Sequence, residues 1–335
     1  MSALDVVLDE PGRHHGALRV PWSRDRSAYG ELVVPVIVLN GARGPTALLS
    51  AGVHGDEYEG QIVLPALARS LEAGRLHGRL IILPRANPMA AAAGRRTSPA
   101  DGGNLARLFP GDPAFGPTAA LAAAITRHVL PLADAVIDLH AGGASLEYIP
   151  CAWGRLPHDA KLAARVINLL LAFGGKLAAV TAAPASGGTL VATALDMGKP
   201  AIAAELGGAG TATTQSLDAA RQGVLQALAH LGMVEPAART AGETRLMRVR
   251  PEHFLRSPAR GLFEPAVGLG AAVAAGAIAG WLHDPERPER EPEPLAFPSS
   301  GLVICRRVPT PCEAGDVLAH LAEDCSREAL LGALV

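Results

Sequence analysis

Residues 50–60, SAGVHGDEYEG, place His54 and Glu57 three apart where an apolar run gives way to a helical pattern. An imidazole and a carboxylate at that spacing can converge on one cation. Catalytic zinc takes three protein ligands from His, Glu and Asp and keeps a fourth position for water. The third ligand must come from elsewhere, and His140, which closes the apolar run AVIDL at 135–139, is the candidate. Ligands of parallel sheets gather at the carboxyl ends of strands, so His140 is expected at the same edge as His54. Asp138, two residues earlier on the same strand face, could accept a hydrogen bond from the second nitrogen of a ligand imidazole. A lone His-x-x-Glu is commoner on solvated helices than at a metal, so the weight lies in the ordered combination.

A hydrolase built on such a site also needs a group that takes a proton from the attacking water and returns it to the leaving nitrogen. Glu205 fits by position: it ends the apolar run of PAIAAELGG, and the following glycines leave room for substrate. The plainer reading of Glu205 is a structural ion pair. Glu147 and Tyr148 are candidates to line the pocket and recognise an ammonium, or else an ordinary strand pair. The remaining histidines, His320 among them, lack paired ligands at useful spacing and are expected to be core or surface residues. No GxSxG is present, which weighs against a serine hydrolase of the nucleophile-elbow kind.

Those residues must be positioned by regular elements. Strands are expected at 31–40, 46–50, 79–84, 135–140 and 200–205, and helices at 57–73, 117–130, 158–173 and 216–231. Residues 87–111, rich in Pro, Gly, Arg and Asp, show no period and read as a long connection of the kind that is either functional or disordered. Alternation of strand and helix implies an α/β fold with a mixed, mainly parallel sheet flanked by helices. After Glu235 the helices give out. Residues 261–284 and 301–324 repeat one another with a one-residue gap and share a late glycine, Gly276 and Gly315. The division expected is a catalytic domain at 1–238 and a barrel-sandwich-like, all-β domain at 239–335, with the Pro/Glu/Arg run 284–294 linking the two repeats. The half-repeat is similar to biotinyl and lipoyl carrier domains, but no lysine follows Lys199, so a carrier role is excluded.

A net charge of -2 with no basic stretch implies neither nucleic acid nor an anionic membrane surface as partner. The apolar run 268–280 falls short of the ~20 residues a spanning helix needs. Four cysteines without a CxxC pair, and a start without a basic and then apolar segment, point to a cytoplasmic protein with reduced thiols. The sequence leaves a homo-oligomer open.

HGDEYEG, ANP (86–88), DGGNLARLFPG (101–111), DLHAGG (138–143) and AELGG (204–208), in that order, resemble the succinylglutamate desuccinylase and aspartoacylase family, relatives of the zinc carboxypeptidases. The resemblance spans roughly residues 45–235, and the C-terminal repeat resembles the family's β domain. It implies one zinc ion per chain on His54, Glu57 and His140, Glu205 as proton shuttle, and hydrolysis of the amide bond of a small N-acyl amino acid. The branch that deacetylates N-acetyl-2,4-diaminobutyrate is the most similar. Arg96 matches the arginine that polarises the scissile carbonyl, with Arg95 the alternative. Family members commonly have Asn-Arg where this chain has Ala106-Arg107, and that Asn helps hold the substrate carboxylate. Arg107 can still grip a carboxylate in bidentate fashion. Either Asn104 compensates or recognition is weaker. A metallocarboxypeptidase acting on short peptides would use the same catalytic residues, and a non-catalytic metal-binding relative is the third reading.

Overall fold

The computed structural model describes residues 2–181, 188–236 and 243–333. Fifteen strands among them form one sheet. Its main path runs Ala3–Asp5, Gly12–Pro21, Glu31–Asn40, His77–Leu83, Ala42–Ala51, Ala135–His140, Ala201–Glu205, Cys151–Arg155, Leu177–Thr181, Arg245–Val249, Val317–Asp324, Gly301–Arg307 and Ala272–Val273. The parallel pairings lie in the middle of this path, broken once where Cys151–Arg155 runs antiparallel to Ala201–Glu205. Continuous apolar runs such as AVIDL belong there, because a central strand is covered on both faces. Val136, Ile137, Leu48, Leu49, Ile81 and Ile202 are all fully buried.

Helices Tyr58–Ser70, Ala160–Phe173 and Thr214–His230 pack against one another and the sheet. Ala160–Phe173 buries Leu162, Val166, Ile167, Leu170 and Phe173 at helical spacing and is capped by Asp159, whose carboxylate accepts the Leu162 N–H. A Thr213–Ser216 capping box starts the last helix of the three. The fold class is that read from the sequence, and these helices begin and end within about three residues of their expected limits.

Several elements were not legible. Helix Pro88–Ala93 and a 3-10 turn, Leu105–Arg107, interrupt the segment expected to be a loop. Both are too short to show a period. Strands Cys151–Arg155 and Leu177–Thr181 lack alternation because each is interior. A short helix, Arg327–Gly332, ends the described chain, where none was expected after Glu235.

The expected boundary at 238/239 lies outside the described residues. C-terminal strands continue the sheet directly: Arg245–Val249 pairs with Leu177–Thr181 on one side and Val317–Asp324 on the other. A small core of Cys151, Leu177, Ala179, Met247, Val249, Ile304 and Ala322 seals that junction. The two repeats interlock. Gly261–Pro265 of the first pairs with Pro311–Cys312 of the second, and Ala272–Val273 of the first with Gly301–Arg307 of the second. Gly276 and Gly315 occupy equivalent turns with φ of 79° and 88°, a conformation that explains the shared glycine.

Helix Tyr58–Ser70 reaches the sheet through Gly60. A Cβ there would meet the Cβ atoms of Ala51 and Leu139 at 2.7 and 2.8 Å. Gly60→Val is therefore expected to destabilise the fold by about 1–3 kcal/mol, as overpacking does. Denaturant unfolding reads this, and an unchanged midpoint would mean the helix does not rest on the strands at that point.

Candidate active site

The HGDE segment leaves the end of Ala42–Ala51 and delivers its side chains just before helix Tyr58–Ser70 begins. Gly55 lets it pass the short helix Pro88–Ala93, where a Cβ would lie 1.9 Å from the Ala90 carbonyl oxygen. His140 is the last residue of Ala135–His140, and parallel register places Glu205 directly beside it. Strand ends therefore do the gathering.

Glu57 is the hub. Its Oε1 lies 2.7 Å from His54 Nδ1, and its Oε2 lies 2.8 Å from His140 Nδ1 and accepts the Ala141 N–H at 3.2 Å. The second nitrogens are held as well. His140 Nε2 is 2.9 Å from Asp138 Oδ2, and His54 Nε2 is 3.0 Å from Asn104 Oδ1. One donor atom from each of His54, Glu57 and His140 lies within 4.8 Å of the others.

This hydrogen-bond pattern tests whether a metal fits. Asn104 Oδ1 also accepts the Ala106 N–H, so His54 Nε2 must donate to it, and Asp138 imposes the same on His140 Nε2. Both rings then turn Nδ1 toward one carboxylate. Two ring nitrogens and a carboxylate oxygen thereby face a common point, where a cation would take a lone pair from each. The donor set fits a divalent ion of borderline softness.

Burial pushes Glu57 up, yet the two imidazoles, His140 foremost, outweigh it and hold the carboxyl at about 2. Burial likewise opposes charge on His140, while Asp138 and Glu57 carry it well above the ordinary imidazole value. Glu205 moves the other way. Burial, joined by the Glu57 charge, raises it to about 8 against the pull of His140 and Arg96, and its Oε2 has no hydrogen-bond partner.

His54, Glu57, His140, Asp138 and Glu205 share a cavity of about 360 Å3 with Arg96, Arg107 and Tyr148. Arg96 reaches to 3.5 Å from both Glu57 Oε1 and His54 Nδ1. Arg95 is not on the cavity wall and serves through its carbonyl, which accepts the Gly55 N–H. Asn104 also stays off that wall. Its side-chain oxygen accepts from His54 and Ala106, so it orients a ring. Glu147 turns away too, paired with Arg306 at 2.6 Å.

Sequence reasoning missed Arg155, Trp153 and His320, which all line the cavity. His320 was read as core or surface, but the strand Val317–Asp324 brings it from the far end of the chain to 3.3 Å from the Tyr148 hydroxyl. Burial and the Arg256 charge lower His320 to about 4, which keeps it neutral. Arg155 carried one signal, a strand-end position, visible only once Cys151–Arg155 is known to be a strand.

Residues 43–231 match the succinylglutamate desuccinylase/aspartoacylase catalytic domain. The chain belongs to this family. It is 39% identical over 321 residues to the N-alpha-acetyl-L-2,4-diaminobutyric acid deacetylase of Halomonas elongata, covering 95% of this chain and 94% of that protein. A succinylglutamate desuccinylase/aspartoacylase from Rhodobacter sphaeroides superposes with a TM-score of 0.92 at 35% identity, over 97% of this chain and 99% of the other. The product-bound ectoine utilization protein EutE (DoeB) of Ruegeria pomeroyi gives 0.91 at 35% identity, over 96% and 98%. Family membership and the His-Glu-His cluster together point to an enzyme acting on N-acyl amino acids. No helix of the described residues is long and apolar enough to cross a membrane.

In metal-stripped protein, Glu57, held at about 2 against an ordinary 4.5, stabilises the fold fully above pH 4.5, and that contribution fades as pH falls towards 2. His140 acts oppositely: its contribution is complete below its ordinary 6.5 and fades as pH rises through its higher folded value. Glu57→Gln should flatten the acid limb of a stability–pH curve. It should also abolish the rise in melting temperature on adding a divalent ion. Retention of both effects would detach Glu57 from the centre.

Proposed function

We propose that the protein is a zinc-dependent deacylase that hydrolyses the amide bond of a small N-acyl amino acid, with N-acetyl-2,4-diaminobutyrate the leading substrate. The observation that carries this reading is the meeting, in one cavity, of a His54–Glu57–His140 donor set with a carboxyl group, Glu205, that has an oxygen to spare. Identity to the Halomonas elongata deacetylase over almost the full length supports the choice of substrate. His54, Glu57 and His140 would hold the ion, whose bound form supplies Lewis acidity toward the acyl oxygen and toward water.

The remaining roles fall to the chain itself. Glu205, whose Oε2 is left without a partner, takes a proton from the attacking water and returns it to the departing amine. Arg96, beside Glu57 and His54, donates to the acyl oxygen as negative charge develops there. Arg107 grips the substrate carboxylate and sets the amide in register. Asp138 and Asn104 fix the two rings by accepting from their Nε2 atoms. Tyr148, its hydroxyl anchored on His320, closes the wall near Glu205.

A panel of N-acetyl, N-succinyl and N-formyl amino acids, including diaminobutyrate, tests the assignment. Turnover should be confined to N-acyl amino acids and should be greatest for the N-acetyl-diaminobutyrate; a zinc-loaded protein inert on the whole panel would sink it. Glu205→Gln should retain the ion and lose turnover by about a hundredfold to ten-thousandfold. Undiminished activity in that variant would remove Glu205 from the reaction.

A further inference from the structure

Arg155 ends the strand Cys151–Arg155, beside Thr181 at the end of the parallel neighbour Leu177–Thr181. Cys151 at the other end of that strand is the register partner of Glu205. Arg155 therefore stands four residues, about 13 Å, along the sheet from the level of the proton shuttle. Its side chain is half-buried and lines the same cavity as Arg107.

Two guanidinium groups on one small cavity repel each other unless an anion lies between them. Among the described residues neither forms an ion pair with a carboxylate; Arg107 donates to the neighbouring Ala106 carbonyl at 2.8 Å. The segments 182–187 and 237–242 contain no Asp or Glu. Burial disfavours the charge on Arg155; Asp196, at the exposed end of helix Leu190–Asp196, supports that charge, and the nearby Arg107 charge opposes it to a smaller extent. The cavity thus keeps two guanidinium groups without an ion-pair partner among the described residues, beside Ala106, whose side chain offers no hydrogen bond.

We propose that Arg155 is the second arm of a carboxylate clamp, sharing with Arg107 the α-carboxylate of the substrate and replacing the contact that Ala106 cannot make. This rests on the deacylase reading above. Two planar forks can satisfy both oxygens of a carboxylate from different directions, which fixes the amino acid more firmly than one arginine does. Arg155 is thereby a specificity-determining residue: it selects substrates with a free α-carboxylate and rejects the corresponding amides.

The test compares N-acetyl-2,4-diaminobutyrate with its α-carboxamide on wild type, Arg155→Gln, Arg155→Lys and Arg107→Gln, with zinc content and unfolding midpoint measured for each. Removing one charged hydrogen-bond partner should raise KM for the acid by about tenfold to a hundredfold and leave kcat/KM for the amide nearly unchanged. Lysine should restore part of the loss. Equal losses on acid and amide, or unchanged discrimination in Arg155→Gln, would overturn the clamp. Equilibrium binding of the same acid and amide is measured in parallel on zinc-loaded protein. If wild type turns over neither compound, the deacylase reading fails; the clamp still stands if Arg155→Gln erases the binding preference for the acid, and falls if the preference persists.

Discussion

One buried carboxylate shared by two imidazoles organises this molecule. Glu57 is 4% exposed and sits at the mouth of a helix, so its charge must be met by groups delivered from elsewhere. His54 comes from its own turn and His140 from a strand more than eighty residues later. Each ring is then pinned from behind by an acceptor, Asn104 or Asp138, which leaves the inner nitrogens no freedom to turn away. A partly satisfied buried polar network is costly. The cluster therefore makes chemical sense chiefly as a cation cradle, and the parallel strand ends, the tight HGDE turn and the Gly60 contact are the means of building it.

From that centre the cavity is graded in charge. The metal donors and Glu205 lie together, and there burial and the Glu57 charge oppose ionisation of Glu205. Arg107 and Arg155 line the same cavity, and among the described residues neither is ion-paired. An amide whose acyl oxygen faces the donors and whose carboxylate faces the arginines meets complementary potential at both ends. On the proposed deacylase reading, the field of the cavity as well as its shape would orient the substrate.

How much of this could be read from the sequence divides along a physical line. His54, Glu57, His140 and Glu205 were legible because each sits in a short window at the end of an apolar strand, where ligands of parallel sheets collect and periodicity is strong. Arg155 and His320 were not. Cys151–Arg155 carries no alternation, being interior, and His320 reaches the cavity only because Val317–Asp324 pairs with Gly301–Arg307, which in turn pairs with the distant Leu146–Tyr148. Asn104 shows a different limit: its nearness to the site was foreseen, but which neighbour a short amide serves depends on a turn three residues long. The α/β class and the main helices were visible; the continuity of the sheet into the C-terminal strands was not, because register between distant strands leaves no local trace.

The crossed pairing of the two C-terminal repeats has a topological outcome. Each half lends its short strand to the other, so neither owns a full set of strands until both are in place. The region must assemble in an all-or-none manner, although the charged run joining the halves crosses no part of the interlock. A backbone nicked within that run would keep its fragments entwined, and the two pieces, made separately, form a natural pair for reconstitution by complementation.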